Sequence, residues 1–137
     1  MYEPAGLWLF LPFGYLLTVL FEMPVLLVGL SPQHSWKQKV LAGFWLTACT
    51  YPLVVLVMPL LIPAHFGQFA YLAIAETFAP TAECFLFWLA FYHGRGSEKP
   101  SLSKLTLVRD MLTIVAANLI SFLVGGAALQ FLRPQET

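Results

Sequence analysis

Residues 40–62 read VLAGFWLTACTYPLVVLVMPLLI, a run without a single charged side chain. At ~1.5 Å of rise per helical residue it is long enough to cross a hydrocarbon core of ~30 Å. No water is present in such a core to satisfy an open backbone, so only a helix or a closed barrel can span it. A barrel strand would alternate in polarity over ~10 residues, whereas this run is apolar on nearly every side. It predicts a transmembrane helix.

Working outward, three further segments meet the same length: residues 7–30, 69–92 and 105–132. Residues 31–39 (SPQHSWKQK) and 94–104 (GRGSEKPSLSK) are polar connections rich in turn-forming Gly, Pro and Ser. The middle connection, residues 63–68, is short and carries His65. The expected fold is all-α, a polytopic bundle of four transmembrane helices forming one membrane domain over 1–137. No Lys or Arg precedes the first run, and it is too long for a signal-peptide core, so it is expected to remain as a span.

Composition agrees. Of the 137 residues, 59% are hydrophobic and 10% charged, against ~25% charged in soluble domains. Such a surface is solvated by lipid, and the bilayer is the first expected partner. The seven basic and seven acidic residues cancel, leaving no basic footprint for nucleic acid. Cys49 and Cys84 lie inside apolar runs and read as small packing residues. No nucleophile–base pair or His-rich metal cluster points to an intramembrane enzyme, and no cofactor is named by any motif.

Direction follows from the basic residues. Lys37 and Lys39 flank the first connection, and Arg95, Lys99, Lys104 and Arg109 flank the third, leaving only Arg133 on the other side. Cytoplasmic loops carry the Lys/Arg excess. Both termini and the His65 turn are therefore expected to be non-cytoplasmic, in a cell inner or plasma membrane. Trp8 and Tyr71 fit the outer aromatic belt, and Trp36, Trp88 and Tyr92 the inner one.

Three glutamates interrupt the spans: Glu22 in the first, Glu76 and Glu83 in the third. A charge at mid-bilayer costs ~2.5–3.5 kcal/mol, so the two acids of the third span together cost roughly 5–7 kcal/mol. Its Leu, Ile and Phe residues return only about 3–5 kcal/mol, at ~0.3–0.6 each. The third helix is expected to insert poorly by itself and to turn its acids towards its neighbours. Glu76 and Glu83 are two helical turns apart, within ~20° of each other, on a stripe with Leu72, Pro80 and Phe87. Pro80 cannot donate to the Glu76 carbonyl, which adds a free oxygen beside the acids.

Depth can be counted from the inner edge at ~1.5 Å per residue. Glu22 is then ~12 Å deep, Glu83 ~14 Å, and Thr47 and Thr50 of the second span ~10–15 Å. Residues of three helices fall in one layer, with Glu76 nearer the His65 turn. Glu22, Glu83, Glu76, Thr47 and Thr50 form the candidate proton or cation site; a metal is neither indicated nor excluded. Asn118 and Ser121 read as interhelical glue, and Arg109 with Asp110 as an interfacial ion pair. Ala117, Ser121 and Gly125 recur every four residues and are the candidate helix-packing stripe, with a smaller one at Gly14 and Thr18.

In size, in span number and in the glutamate of its first span, the chain resembles the small multidrug-resistance exporters. The residues around Glu22 differ from that family's flanking motif, and Glu76 and Glu83 are additional, so the resemblance is one of architecture and carries no function. Two functions fit the residues. Buried carboxylates can share a proton or offer oxygen ligands to a cation, in transport or conduction. Alternatively, the chain is a non-catalytic accessory or assembly subunit whose acids meet a partner chain, as a homo- or hetero-oligomer.

Overall fold

A computed structural model describes residues 4–93 and 100–132. Arg95, Lys99 and Arg133, which contribute to the expected direction, lie outside the described residues. The elements are α1 (Pro4–Gly29), α2 (Trp36–Pro52) continuing through a π-helical segment (Leu53–Val57) into α3 (Met58–Leu61), a 3-10 turn (Ala64–Phe66), α4 (Gly67–Phe91) and α5 (Pro100–Leu132). No strand occurs among the described residues. Four stretches are long and apolar enough to cross a membrane: Phe10–Gly29, Trp36–Leu61, Ala64–Phe91 and Lys104–Ala127. The chain is a multi-pass, all-α membrane protein. The third stretch has a mean hydropathy of 1.3, against 1.9, 2.0 and 1.8 for the others, as its two acids require.

Local chemistry sets the helix ends. α2 begins four residues before the apolar run because Ser35 and Gln38 form a capping box. Gln38 N donates to Ser35 Oγ at 3.3 Å, and Ser35 N donates to Gln38 Oε1 at 2.9 Å. The π-helical segment has an equally local cause. Met58 N donates to Leu53 O rather than to Val54 O, and the next residue, Pro59, has no N–H to offer. The Val54 carbonyl is thus left over, and Tyr71 of α4 supplies its donor, with Oη 2.6 Å away. A proline-induced defect in one span becomes a point of attachment for another.

α1 packs against α2 and α5, and α4 packs against α5 and α2. The apolar core is Leu26, Leu30, Ala42, Leu46, Phe87, Ile114 and Ala117. Large apolar side chains elsewhere point outward, among them Phe69 and Leu60, which are 87% and 84% exposed. Among the described residues ten polar or charged side chains are buried beside ten apolar ones. A bundle that hides its polar groups and displays its aromatics has lipid as its solvent. Close approach of α1 and α5 depends on Gly29, where a Cβ would lie 2.5 Å from Thr113 Cγ2.

Candidate functional site

Glu22 of α1 and Glu83 of α4 are both buried in the bundle, 4% and 3% exposed. Each meets a threonine of α2. Thr47 Oγ1 is 2.8 Å from Glu22 Oε2, and Thr50 Oγ1 is 2.7 Å from Glu83 Oε1. Asn118 of α5 donates from Nδ2 to Glu83 Oε2 at 2.7 Å and to Ile114 O at 3.0 Å. All four spans thus supply one layer. The two carboxyl groups are near enough to interact electrostatically, and Glu22 also senses Glu76. None of the described basic residues forms an ion pair with Glu22 or Glu83.

The threonines have more acceptors than hydrogens. Thr47 Oγ1 is also 2.9 Å from Gly43 O, and Thr50 Oγ1 is 3.1 Å from Leu46 O. A hydroxyl carries one hydrogen and accepts two. If the carboxyl is ionised, that hydrogen must be divided between carboxylate and carbonyl. If the carboxyl carries its own hydrogen, it donates to the threonine, and the threonine donates to the carbonyl. Every contact then has its own hydrogen. With both carboxyls protonated every contact of the layer has its own hydrogen, and ionising either acid leaves one contact per acid sharing one.

Glu76 is half-buried, two turns along α4 towards the His65 end, with Leu72 and Pro80 also half-buried on its stripe. Glu83 and Phe87 of the same stripe are fully buried. Thr47 and Thr50 are buried as well. In the small-residue stripe of α5, Ala117 and Ser121 are buried, whereas Gly125 is only half-buried and faces open space. Gly14 packs against the Tyr51 hydroxyl, and the Thr18 hydroxyl donates to Gly14 O at 2.9 Å. His65 is exposed in its turn, and Cys49 and Cys84 are free thiols.

A second buried polar cluster lies at the opposite edge of the core, and the sequence reading missed it. Asp110 of α5 is completely buried and accepts four hydrogen bonds. Ser31 N donates to Oδ1 at 2.6 Å; Ser31 Oγ and His34 Nε2 reach Oδ2 at 3.0 and 2.8 Å; the Tyr92 hydroxyl completes the set with a short bond to Oδ2. Burial and this bond to Asp110 push the Tyr92 phenol up to about 12. His34 is ringed edge-on by Phe87, Phe91 and Tyr92, and its Nδ1 is buried without a hydrogen-bond partner. The expected Arg109–Asp110 pair is not formed: Arg109 Nε donates to Gly29 O at 2.8 Å instead. Adjacent residues on a helix point ~100° apart, so Asp110 faces inward while Arg109 faces out.

Along the chain, core residue Ile114 lies between Asp110 and Asn118, and core residue Phe87 between Glu83 and Tyr92. Among the described residues no three His, Cys, Asp or Glu side chains are grouped so as to hold a metal ion. Comparison with protein-family models, with curated proteins and with solved structures gives no match to this chain.

Proposed function

We propose that this protein moves protons, or a cation in exchange for them, across the membrane, with Glu22 and Glu83 as the binding site and Thr47, Thr50 and Asn118 as its supports. The observation that carries this reading is the pair of buried carboxyls, from two helices, with which none of the described basic residues forms an ion pair. Intramembrane acids are expensive. A purely structural pair would be cheaper as two amides, which bring their own hydrogens to the threonines. An acid adds one property to the same shape, a proton that can leave. Among the described residues no three His, Cys, Asp or Glu side chains are grouped to hold a metal ion, which favours the proton as the primary cargo.

Glu76 then serves the approach from the His65 end, since it is half-buried on the stripe that leads to Glu83. The Lys/Arg excess on the other side supports an arrangement with that end and both termini outside the cell. A second reading, an assembly subunit, rests on the outer face of α4. There Ala73, Ile74, Thr77, Phe78, Thr81 and Phe85 line an open groove of about 720 Å³, a face suited to close helix contact in an oligomer.

Liposomes containing only the purified chain separate the two readings. Transport predicts proton or cation flux that falls at least tenfold in Glu22→Gln and in Glu83→Gln while both variants fold. Silence of the wild type alone, with activity recovered on adding a partner chain, would support the subunit instead.

A further inference from the structure

A groove of about 510 Å³ runs along the outside of α1 and α5, lined by Val25, Gly29, Val108, Leu112 and Ala116, with Arg109 at its rim. Apart from Arg109 and Thr113, whose hydroxyl donates to Arg109 O at 2.8 Å, its walls are apolar, and from Arg109 to Ala116 it extends roughly 10 Å along the helix axis. Arg109 is exposed on the lipid-facing side. Its Nε is held by Gly29 O at 2.8 Å, which fixes the guanidinium, while its terminal nitrogens have no protein partner among the described residues. The neighbouring acid cannot neutralise it. Asp110 is buried and already accepts four hydrogen bonds from Ser31, His34 and Tyr92. Lys39 lies at the same helix end, donating to Leu27 O and Leu30 O at 3.4 and 3.0 Å. Lys104 is exposed on α5, about a turn and a half before Arg109.

We infer that this groove is a binding site for one anionic phospholipid, its phosphate on Arg109 and one acyl chain along Val25, Val108, Leu112 and Ala116. A fixed guanidinium with two free nitrogens matches a phosphate in geometry as well as charge. The apolar channel beneath it matches a chain. An uncompensated arginine several residues inside a span needs a counter-charge at that depth, and an anionic headgroup provides one. The inference is independent of the proton site, which faces the bundle interior.

The test is native mass spectrometry of the full chain released from vesicles holding equal amounts of phosphatidylglycerol and phosphatidylcholine. The wild type is expected to retain phosphatidylglycerol about fivefold over phosphatidylcholine, the preference one basic contact supplies. Arg109→Gln should bring the ratio near one, and Arg109→Lys, which keeps the charge but loses the two-pronged geometry, should give an intermediate ratio. Val108→Trp, at an exposed position, should fill the groove and lower retention of both lipids, which keeps the test informative if Arg109→Gln does not fold. Equal retention by the wild type would overturn the inference. So would a preference that survives Arg109→Gln but vanishes in Lys37→Gln/Lys39→Gln, because diffuse surface charge would then account for it.

Discussion

Thr50 and Glu83 face each other across the α2–α4 contact, hydroxyl to carboxyl at 2.7 Å. The same relation repeats one turn away between Thr47 and Glu22. Two hydroxyls of one helix thereby hold acids from two different helices, and α2 becomes the common reference for α1 and α4.

The first expected outcome concerns those hydroxyls. Thr50→Val keeps the shape and removes the partner of a buried carboxyl, which costs about 1–3 kcal/mol of stability. Thr50→Ser, which keeps the hydroxyl, should cost less than half as much. Thr47→Val should behave like Thr50→Val, and Thr50→Val/Glu83→Leu should cost less than the sum of its parts. Denaturant unfolding in mixed micelles reads all of these. Additive losses would show that hydroxyl and acid do not interact.

Tyr92 gives the alkaline limb of stability. Its phenol is held protonated in the fold up to about 12 by burial and by its bond to Asp110, against ~10 in an unfolded chain. Its contribution is fully present below pH 10 and is lost as pH rises through 12, because the unfolded state releases its proton first. The wild type should therefore lose stability over that window, and Tyr92→Phe should lose less. Thermal unfolding from pH 9 to 12 provides the comparison. Asp110→Asn should be the more severe change at neutral pH, since it sets an NH2 group among four donors.

The layer of Glu22, Glu83, Thr47 and Thr50 was legible because helical rise converts residue number into depth. The partner of each acid was not legible, because depth does not give azimuth: as a sequence position Asn118 reads as interhelical glue, and only the fold puts its amide on Glu83. The Asp110 cluster was missed for a different reason. His34 and Ser31 sit in a polar turn, and turn residues are ordinarily left to water, yet both are buried. A signal was present: Asp110 lies seven and eleven residues before Ala117 and Ser121, and so shares a helical face with two members of the candidate packing stripe. Proline positions were equally visible, but not that Pro59 would leave the Val54 carbonyl for Tyr71.

The third span should be a poor solo inserter. Its acids cost roughly 5–7 kcal/mol against about 3–5 returned by its large apolar residues, and its hydropathy is the lowest of the four. In a glycosylation-based insertion assay, residues 69–92 alone should insert in a minority of molecules, and Glu76→Leu or Glu83→Leu should raise the fraction clearly. Efficient insertion of the unaltered segment would contradict the energy balance.

Orientation is testable without purification. Six basic residues against one predict that reporter fusions after Thr137 and within the 94–104 connection report opposite sides, with Thr137 outside. A cytoplasmic Thr137 would reverse the assignment of Glu76 to the outer approach and place the Arg109 groove in the outer leaflet.

The decisive outcome for the proton reading is coupling between Glu22 and Glu83. The two acids are within electrostatic reach, each shares its threonine hydrogen with a backbone carbonyl, and no described basic residue pairs with either. Removing the charge of one must then change the energy of ionising the other. Infrared difference spectroscopy in lipid follows the protonated-carboxyl band of wild type, Glu22→Gln and Glu83→Gln against pH. In the wild type the pair should release its protons in two separated steps. In each single variant the remaining acid should titrate in one step, at a midpoint displaced from both. If a cation rather than a proton occupies the pair, the wild-type steps should shift with its concentration, and the variants should lose that dependence. A packing role alone predicts no band that titrates and only a stability change. The reading is falsified if both acids titrate independently and without cation dependence.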